Sequence, residues 1–483
     1  MFRKKRIGEI VCQMAVYALA LFVVVLNGVL VFDNVAWGDE AFSINTAQNT
    51  FGGILQILYY WDNHPPLHYF WLKIWGDIFG HTFPIYHLAS LTPFVLSIVL
   101  VVTVFRKRLG NIPASFLTVI LGLGYFCIEY NLEIRMYSLA FLGVLMAFYC
   151  SYRVLCEDKK RAYTGMVLWS LLAAYSHYYG LVTVGILMFL TTMAVFIKNR
   201  KKSWIRGAVS IALFIAAYTP WFLFLFHAIK NISSNWWMTD ILSLKKTASM
   251  VLGGHGFNWF ILGLLVFFPV MLFLLEKKNL SNEAYAVAVG LGTIISTVVF
   301  AYFICYTFKP MLAQRYMYPL SAVTFLTLAI AMSRLLKIVS GSENFQISKI
   351  EKVGKVAGVA LVLLFFGIGM GNYKVRSNVA LDEENKTRAT LNLIGEPGED
   401  TLLVTNGVKH LGWTVLPCYF PGTEYINGTY YSATKDKFWY FNPTPISEEE
   451  LRTLGKNGYD ITSYGQMQIS QYVFSLYYME KKY

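Results

Sequence analysis

The chain has 483 residues, of which 56% are hydrophobic and only 14% are charged, and its formal net charge is +13. Soluble domains carry charges on about a quarter of their residues, so these figures, with a mean hydropathy of +0.48, exclude soluble, disordered, collagen-like and coiled-coil chains. Aromatic residues make up 17% of the chain, which is typical of proteins with many residues at a bilayer boundary. The composition predicts a polytopic membrane protein.

Apolar segments long enough to cross a bilayer follow one another along residues 1–373. A helical span needs about 20 mostly apolar residues. Eleven segments approach that length, near residues 10–32, 85–105, 112–128, 134–152, 163–176, 179–197, 207–227, 258–275, 284–306, 316–333 and 356–373. The first has no small-residue cleavage site after it, so we expect a retained helix rather than a signal peptide. The sequence predicts an all-α membrane domain of about eleven transmembrane helices.

Positive charge is concentrated in alternate connections between these segments. Those connections hold 23 of the 41 Lys and Arg residues, whereas the intervening connections hold 7 and the residues after 373 hold 11. Because Lys and Arg collect in cytoplasmic loops, we expect a plasma-membrane protein with a cytoplasmic N-terminus and an outer C-terminus. The positive charge is then a topology signal, and no nucleic-acid partner is expected.

Residues 374–483 differ in kind from the rest of the chain. They hold 13 acidic and 11 basic residues. Apolar residues alternate in Thr401–Thr405 and Gln468–Leu476, and Ser447–Leu454 begins with a helix N-cap followed by an acidic first turn. We predict a small extracytoplasmic α/β domain over 374–483.

The first external connection, residues 33–84, is long and aromatic but contains no uninterrupted apolar span. After Pro65–Pro66, apolar residues recur every three or four positions, as on one face of a helix: Leu67, Phe70, Trp71, Ile74, Trp75 and Ile78. His68 and Asp77 fall outside this apolar face. Such a helix would lie in the membrane surface rather than cross it, and Thr46–Tyr60 is a candidate for a second one.

Two acidic groups bracket these predicted interfacial helices. Asp39 and Glu40 follow the first span, while Asp62 and His64 precede the double proline. A carboxylate at the membrane boundary can deprotonate an acceptor hydroxyl beside a lipid-borne donor. A lone acid after a span is usually a solvated helix end, so the functional hypothesis rests on both acidic groups occurring in one connection.

Two later outer connections carry further polar residues. One contains Glu129, Glu133 and Arg135, and the other contains Lys309, Arg315 and Tyr316. Arginine can form bidentate hydrogen bonds with a phosphate, although snorkelling to the interface would also explain an arginine at these positions.

Three further features have no clear chemical assignment. His177 and His255 have no partner at metal-ligand spacing, so structural roles are expected for both. Trp236–Trp237 would belong to a lid, an acceptor ledge or a surface helix.

Four short motifs together carry a family resemblance: Asp39–Glu40, Asp62–Leu67 (DNHPPL), Glu133–Ser138 (EIRMYS) and Gln314–Tyr316 (QRY). In this order they resemble membrane glycosyltransferases of the GT-C type. The group concerned contains protein O-mannosyltransferases, the aminoarabinose transferases of lipid A and bacterial RgtA/B/C/D-like enzymes. The resemblance runs through about residue 330. It implies a polyprenyl-phosphate-linked monosaccharide as donor, an active site on the outer face, and usually inversion at the anomeric carbon.

The resemblance also implies roles for the candidate residues. Asp39 would be the general base, and Glu40 would orient it or the sugar. The donor sugar and phosphate site would be lined by Asp62, His64, Glu133, Arg135, Lys309, Arg315 and Tyr316. A divalent metal stays open, with Asp39 and Asp62 as its candidate ligands, because two carboxylates alone do not define a metal site.

We therefore expect a glycosyltransferase acting on a hydroxyl of a cell-envelope lipid, glycan or polymer. No external connection is long enough for the β-trefoil domain of protein O-mannosyltransferases, which disfavours a protein acceptor. The alternative is a transporter or flippase of lipid-linked sugars, but transporters keep ionisable groups near the bilayer midplane. Here the span centres carry few charges. The sequence does not decide whether the sugar is a hexose or a pentose.

Overall fold

A computed structural model describes residues 2–32, 35–62, 64–198, 201–233, 240–277, 279–340, 345–408 and 411–482. Trp236–Trp237 lies outside these residues. The chain divides into two compact units. We call one the membrane unit, comprising Met1–Val29, Phe51–Trp71 and His87–Arg376, and the other the α/β unit, comprising Leu30–Thr50, Leu72–Tyr86 and Ser377–Tyr483. The assignment of residues 1–373 and 374–483 as functional domains stays a prediction.

Helices account for most of the described chain. The α-helices are α1 (Phe2–Val29), α2 (Gly38–Ala47), α3 (Phe51–Tyr60), α4 (Leu67–Phe79), α5 (Phe83–Leu100), α6 (Arg106–Leu109), α7 (Asn111–Leu123), α8 (Tyr125–Leu132), α9 (Tyr137–Glu157), α10 (Lys160–Ser176), α11 (Tyr178–Ile197), α12 (Lys201–Ser233), α13 (Leu244–Val251), α14 (Asn258–Leu275), α15 (Asn282–Thr307), α16 (Tyr318–Ser340), α17 (Phe345–Ile394), α18 (Leu416–Tyr419) and α19 (Glu448–Lys456). Short 3-10 or π-helical turns occur at Leu30–Phe32, Val101–Phe105, Gln314–Met317, Leu411–Val415 and Tyr430–Ser432.

Nine helical stretches of the described residues are long and apolar enough to cross a membrane. They are Gly8–Phe32, Phe83–Leu109, Tyr137–Glu157, Tyr178–Ile197, Ser203–His227, Asn258–Leu275, Asn282–Thr307, Gln314–Ser340 and Glu351–Ile394. A tenth span would come from α7 and α8, which are bent by 64° at their junction. The all-α, multi-pass fold is thus confirmed. The count is lower than eleven because α10, on the predicted segment 163–176, has only 17 residues and a basic start.

Three short helices form the predicted interfacial connection. The helix expected after Pro65–Pro66 is present as α4. The candidate second helix over 46–60 is present from Phe51 to Tyr60 as α3, and a further helix, α2, precedes it. In α4, Ile74 and Ile78 on the predicted apolar face are 44% and 66% exposed, whereas His68 and Tyr69 are buried. An outward apolar face is the arrangement that a helix in the membrane surface requires.

The α/β unit contains a five-stranded mixed sheet in the order β2-β1-β3-β5-β4. Its strands are β1 (Thr401–Thr405), β2 (Tyr425–Asn427), β3 (Lys437–Asn442), β4 (Tyr459–Ile469) and β5 (Tyr472–Lys481). β1 is parallel to β2 and β3, and β5 is antiparallel to β3 and β4.

Alternate side chains of the sheet enter two separate cores. Leu403 and Phe441 contribute to one core, and Leu402 and Tyr440 contribute to the other. This alternation follows from the period of two in a strand. The core of Leu403 and Phe441 also contains Ala41 of α2, so this helix from the first external connection is part of the α/β unit.

Candidate functional site

Asp62 is the centre of a compact polar group in the membrane unit. His64 Nδ1 donates to Asp62 Oδ1 at 2.7 Å, and the Tyr69 hydroxyl donates to Asp62 Oδ2 at 2.5 Å. Arg135 Nη1 donates to the Tyr69 hydroxyl at 3.4 Å. Pro65–Pro66 separates Asp62 from α4, because proline breaks a helix yet suits its first turn. We call Asp62, His64, Tyr69 and Arg135 the Asp62 cluster.

The surroundings keep Asp62 ionised. Burial alone would raise its pKa, but the charge and hydrogen bond of His64, the charge of Arg135 and the hydrogen bond from Tyr69 together lower the pKa well below its ordinary value. Burial and the negative charge of Asp62 raise the pKa of Tyr69, so this hydroxyl keeps its proton at neutral pH. The cluster therefore combines a buried carboxylate with cationic and neutral donors.

Two buried histidines hold the segment that presents Arg135. His68 Nε2 donates to the carbonyl of Ile134 at 3.3 Å, and His87 Nδ1 donates to that of Leu132 at 2.8 Å. Burial, followed by the positive charge of Arg135, lowers the pKa of His68 to about 3. His68 is thus neutral at physiological pH, and Arg135 itself is only 4% exposed. The segment from α8 to α9 is fixed by side chains of α4 and α5.

An aromatic group, His177, Tyr179 and Tyr316, lies beside the Asp62 cluster. The ring centroid of His177 is 5.9 Å from that of His64 and 5.1 Å from that of Tyr316. The Tyr316 ring is 5.9 Å from Tyr179 and 6.3 Å from His64. Burial, then the positive charges of His64, Arg135 and Arg315, lower the pKa of His177 well below its ordinary value. Arg315, on the turn before α16, therefore acts electrostatically on the same region.

The structure assigns His177 more than the isolated role expected from the sequence. Its Nδ1 accepts the backbone N–H of Tyr179 at 3.1 Å, so it caps α11 while its ring faces His64. No spacing in the sequence indicates this approach. Tyr69 and His68 were likewise missed as site residues, although both lie off the predicted apolar face of α4.

The remaining candidate residues of the two later connections occupy the same unit. Glu133 and Lys309 are half-buried, and Glu133 lies between Leu132 and Ile134, whose carbonyls the two histidines hold. Glu129 forms an ion pair with Arg376 at 3.4 Å. The Arg376 guanidinium lies 5.4 Å from the centroid of the Tyr125 ring. The sequence reasoning named Glu129 but not Arg376, which is distant along the chain.

Asp39 and Glu40 occupy the first turn of α2, in the α/β unit. Glu40 is buried, and its Oε2 accepts the backbone N–H of Trp37 at 3.1 Å, which caps the helix. Asp39 is half-buried, and its carbonyl accepts the Ser43 hydroxyl at 2.9 Å. A helix N-terminus favours carboxylates in its first turn. Burial, followed by the charge of Glu40, raises the pKa of Cys418 to about 12, so that thiol stays protonated.

The donor set does not form a metal site by itself. Within the described ranges, no group of three or more His, Cys, Asp or Glu side chains is placed to hold a metal ion. Asp62 accepts one hydrogen bond on each carboxylate oxygen, from His64 and from Tyr69, and each oxygen keeps a second lone pair. Asp39, the other candidate ligand, belongs to the α/β unit.

The helical membrane unit and the mixed sheet together define a multi-pass membrane protein with a GT-C-like fold. Two solved structures of ArnT from Cupriavidus metallidurans share this fold. The apo structure superposes with a TM-score of 0.58 at 12% identity, covering 98% of each chain. The structure bound to undecaprenyl phosphate gives 0.59 at 12% identity, covering 96% of this chain and 98% of that chain. No protein-family model and no curated protein sequence matches. The fold predicted from the motifs is thereby confirmed.

Proposed function

We propose that the protein is a glycosyltransferase that moves a monosaccharide from a polyprenyl-phosphate donor to a hydroxyl of a cell-envelope lipid, glycan or polymer. The observation that carries this proposal is the Asp62 cluster, in which buried Arg135 lies beside an ionised carboxylate and the aromatic group. The fold shared with ArnT, including its undecaprenyl phosphate complex, supports the donor class. The acceptor class comes from the motif resemblance.

In this proposal the membrane unit binds the donor. Arg135 and Arg315 hold the lipid phosphate, because charge-assisted bonds from arginine are strong and specific for phosphate oxygens. Asp62 orients His64 towards the sugar or phosphate, while Tyr316 offers a ring on which a sugar can pack. Glu133 and Lys309 complete the polar lining. The buried surroundings strengthen each of these interactions relative to water.

Asp39 is the proposed general base. It removes the proton of the acceptor hydroxyl as that oxygen bonds to the anomeric carbon of the sugar. The bond between this carbon and the phosphate oxygen breaks, and its electron pair leaves with the lipid phosphate, where arginines stabilise the charge. Attack opposite the leaving phosphate inverts the anomeric carbon. Glu40 orients Asp39 by capping their shared helix.

We place this reaction on the outer face of the plasma membrane, with the N-terminus in the cytoplasm and residues 374–483 outside. The support is the bias of Lys and Arg towards alternate connections. Residues 1–373 would carry the transferase chemistry. No step of this proposal is routed through a metal.

The test is the Asp39→Asn variant of the purified protein in nanodiscs. A panel of undecaprenyl-phosphate monosaccharides (a hexose, a pentose and an amino sugar) is offered with envelope lipids, and release of undecaprenyl phosphate is measured. We expect transfer by the wild type and a loss of about 10²- to 10⁴-fold in the variant, with unchanged affinity for undecaprenyl phosphate. Asp77→Asn is the matched control, because that carboxylate is exposed and paired with Lys73.

Near-normal release by Asp39→Asn would overturn the assignment of the base. If the wild type moves labelled lipid-linked sugar across vesicles without forming a glycosylated acceptor, the transporter alternative is correct.

A further inference from the structure

The chain segment that enters α2 is held by one tyrosine of the α/β unit. The Ala36 N–H donates to the Tyr419 hydroxyl at 3.1 Å, and that hydroxyl donates to the Ala36 carbonyl at 3.5 Å. A single side chain thus satisfies both backbone groups of the residue three positions before Asp39. The direction in which the chain enters α2 is fixed by this contact.

The body of α2 is held by the segment that leads into α18. Ala41 is fully buried in the core that contains Leu416 and Phe441. Asn45 Nδ2 donates to the Thr414 carbonyl at 3.0 Å. α2 has only ten residues, and isolated helices shorter than about 12 residues are marginal in water. Its geometry therefore depends on these contacts with residues far along the chain.

Tyr472, the first residue of β5, lies next to the acidic turn itself. Burial raises the pKa of this hydroxyl and the charge of Asp39 adds to the rise, whereas hydrogen bonds with Gln471 and the Gly38 backbone oppose it. The net pKa is above the ordinary value, so the hydroxyl is protonated at neutral pH. Tyr472 also packs against the hydrophobic core that contains Ala41 of α2, so it contacts the start of this helix through packing and through the backbone of Gly38.

We propose that the C-terminal α/β fold positions Asp39, with Tyr419 and Tyr472 as positioning residues that act through α2. This inference rests on the proposed role of Asp39 as general base. It gives the C-terminal residues a part in the chemistry without any of them touching the reacting atoms. A carboxylate displaced by about 1 Å can lose about 100-fold in rate, so anchoring of the helix would govern turnover.

The experiment compares Tyr419→Phe and Tyr472→Phe in full-length protein in nanodiscs. Each change removes one hydroxyl and keeps the ring. The Tyr419 ring packs on the Phe83 ring, with 4.8 Å between the ring centroids. Tyr425→Phe is the matched control, a tyrosine of β2 that is 40% exposed. Turnover is measured with the sugar donor that gives the highest wild-type rate. Hydrogen exchange of peptides from α2, the affinity for undecaprenyl phosphate and the Tm are measured in parallel.

We expect kcat to fall about ten- to 100-fold in both variants, with faster exchange in α2 and unchanged Tm and affinity for undecaprenyl phosphate. The control should match the wild type in all four measurements. Unchanged kcat, or a kcat that falls only together with Tm, overturns the inference.

The two proposals fail in distinguishable ways. If Asp39→Asn is nearly as active as the wild type, Asp39 is not the general base, and the proposed positioning role of Tyr419 and Tyr472 is wrong as well. If Asp39→Asn is inactive while Tyr419→Phe and Tyr472→Phe turn over normally, only the positioning role is lost.

Discussion

The Asp62 cluster and the acidic turn of α2 both carry carboxylates, but their surroundings differ. Asp62 has a protein donor on each oxygen and a buried arginine nearby. Asp39 is half-buried on a short helix that depends on distant packing. A carboxylate with two fixed donors organises a binding site, whereas a less enclosed one can exchange a proton with an incoming hydroxyl. The difference suggests donor binding at the first and proton transfer at the second.

Arg135→Ala should have the largest effect on binding. A hydrogen bond to a charged group contributes about 1.5–3 kcal/mol, and Arg135 is almost fully buried, so we expect about 100-fold weaker binding of undecaprenyl phosphate. Isothermal titration with nanodiscs measures this change. Arg135→Lys keeps the positive charge but cannot form the bidentate hydrogen bonds of a guanidinium, so it should recover part of the affinity for undecaprenyl phosphate. If Arg135→Ala binds undecaprenyl phosphate as tightly as the wild type, the Asp62 cluster is not the donor-binding region that distinguishes it from the acidic turn of α2.

Arg315→Ala should have a smaller effect of the same kind. This arginine is half-buried, so solvent screens it more, and we expect about tenfold weaker binding of undecaprenyl phosphate. Lys337→Ala is the control, a boundary cation that pairs with Glu283 instead. If Arg315→Ala leaves the affinity intact and only lowers the Tm, the residue is a snorkelling anchor.

A third expected change concerns stability at acidic pH and leaves donor binding at neutral pH unaffected. The folded-state pKa of His68 lies below its ordinary value of 6.5. The unfolded chain therefore binds the extra proton first, and the free energy of unfolding falls as pH drops from 6.5 towards 3. The slope is about 1.4 kcal/mol per pH unit for one histidine.

The decline of stability with falling pH can be followed by measuring the Tm between pH 7 and pH 4. His68→Gln cannot titrate at this position, so its Tm should fall less steeply with decreasing pH than that of the wild type. At pH 7 the variant should be less stable than the wild type. His81→Gln serves as the comparison because His81 is partly exposed. Identical slopes in His68→Gln and the wild type would contradict a buried neutral His68.

Local sequence patterns predicted the elements whose stability is mainly local. The apolar repeat after Pro65–Pro66 predicted α4, and the Ser447 cap with its acidic turn predicted α19. The alternating stretch 468–476 forms the turn of the β4–β5 hairpin and the strand residues on either side of it. The polar pair Ser470–Gln471 forms its turn, where Ser470 adopts a positive φ of 52°.

Features that depend on distant packing were not visible in the sequence. The helix α2 was missed because its stability comes from Leu416 and other residues of the C-terminal region. Nothing near His177 indicates that its ring meets His64. The structure brings together the motif residues Asp62, His64 and Arg135, and it adds Tyr69, which joins them and which the sequence did not indicate.

The most direct test of the central claim is a structure of the protein with undecaprenyl phosphate bound in nanodiscs. We expect density for the phosphate group in contact with Arg135 and Arg315, beside Tyr316. Density at the basic residues of Arg106–Leu109 instead, with the Asp62 cluster unoccupied, would contradict the assignment of this cluster as the donor site.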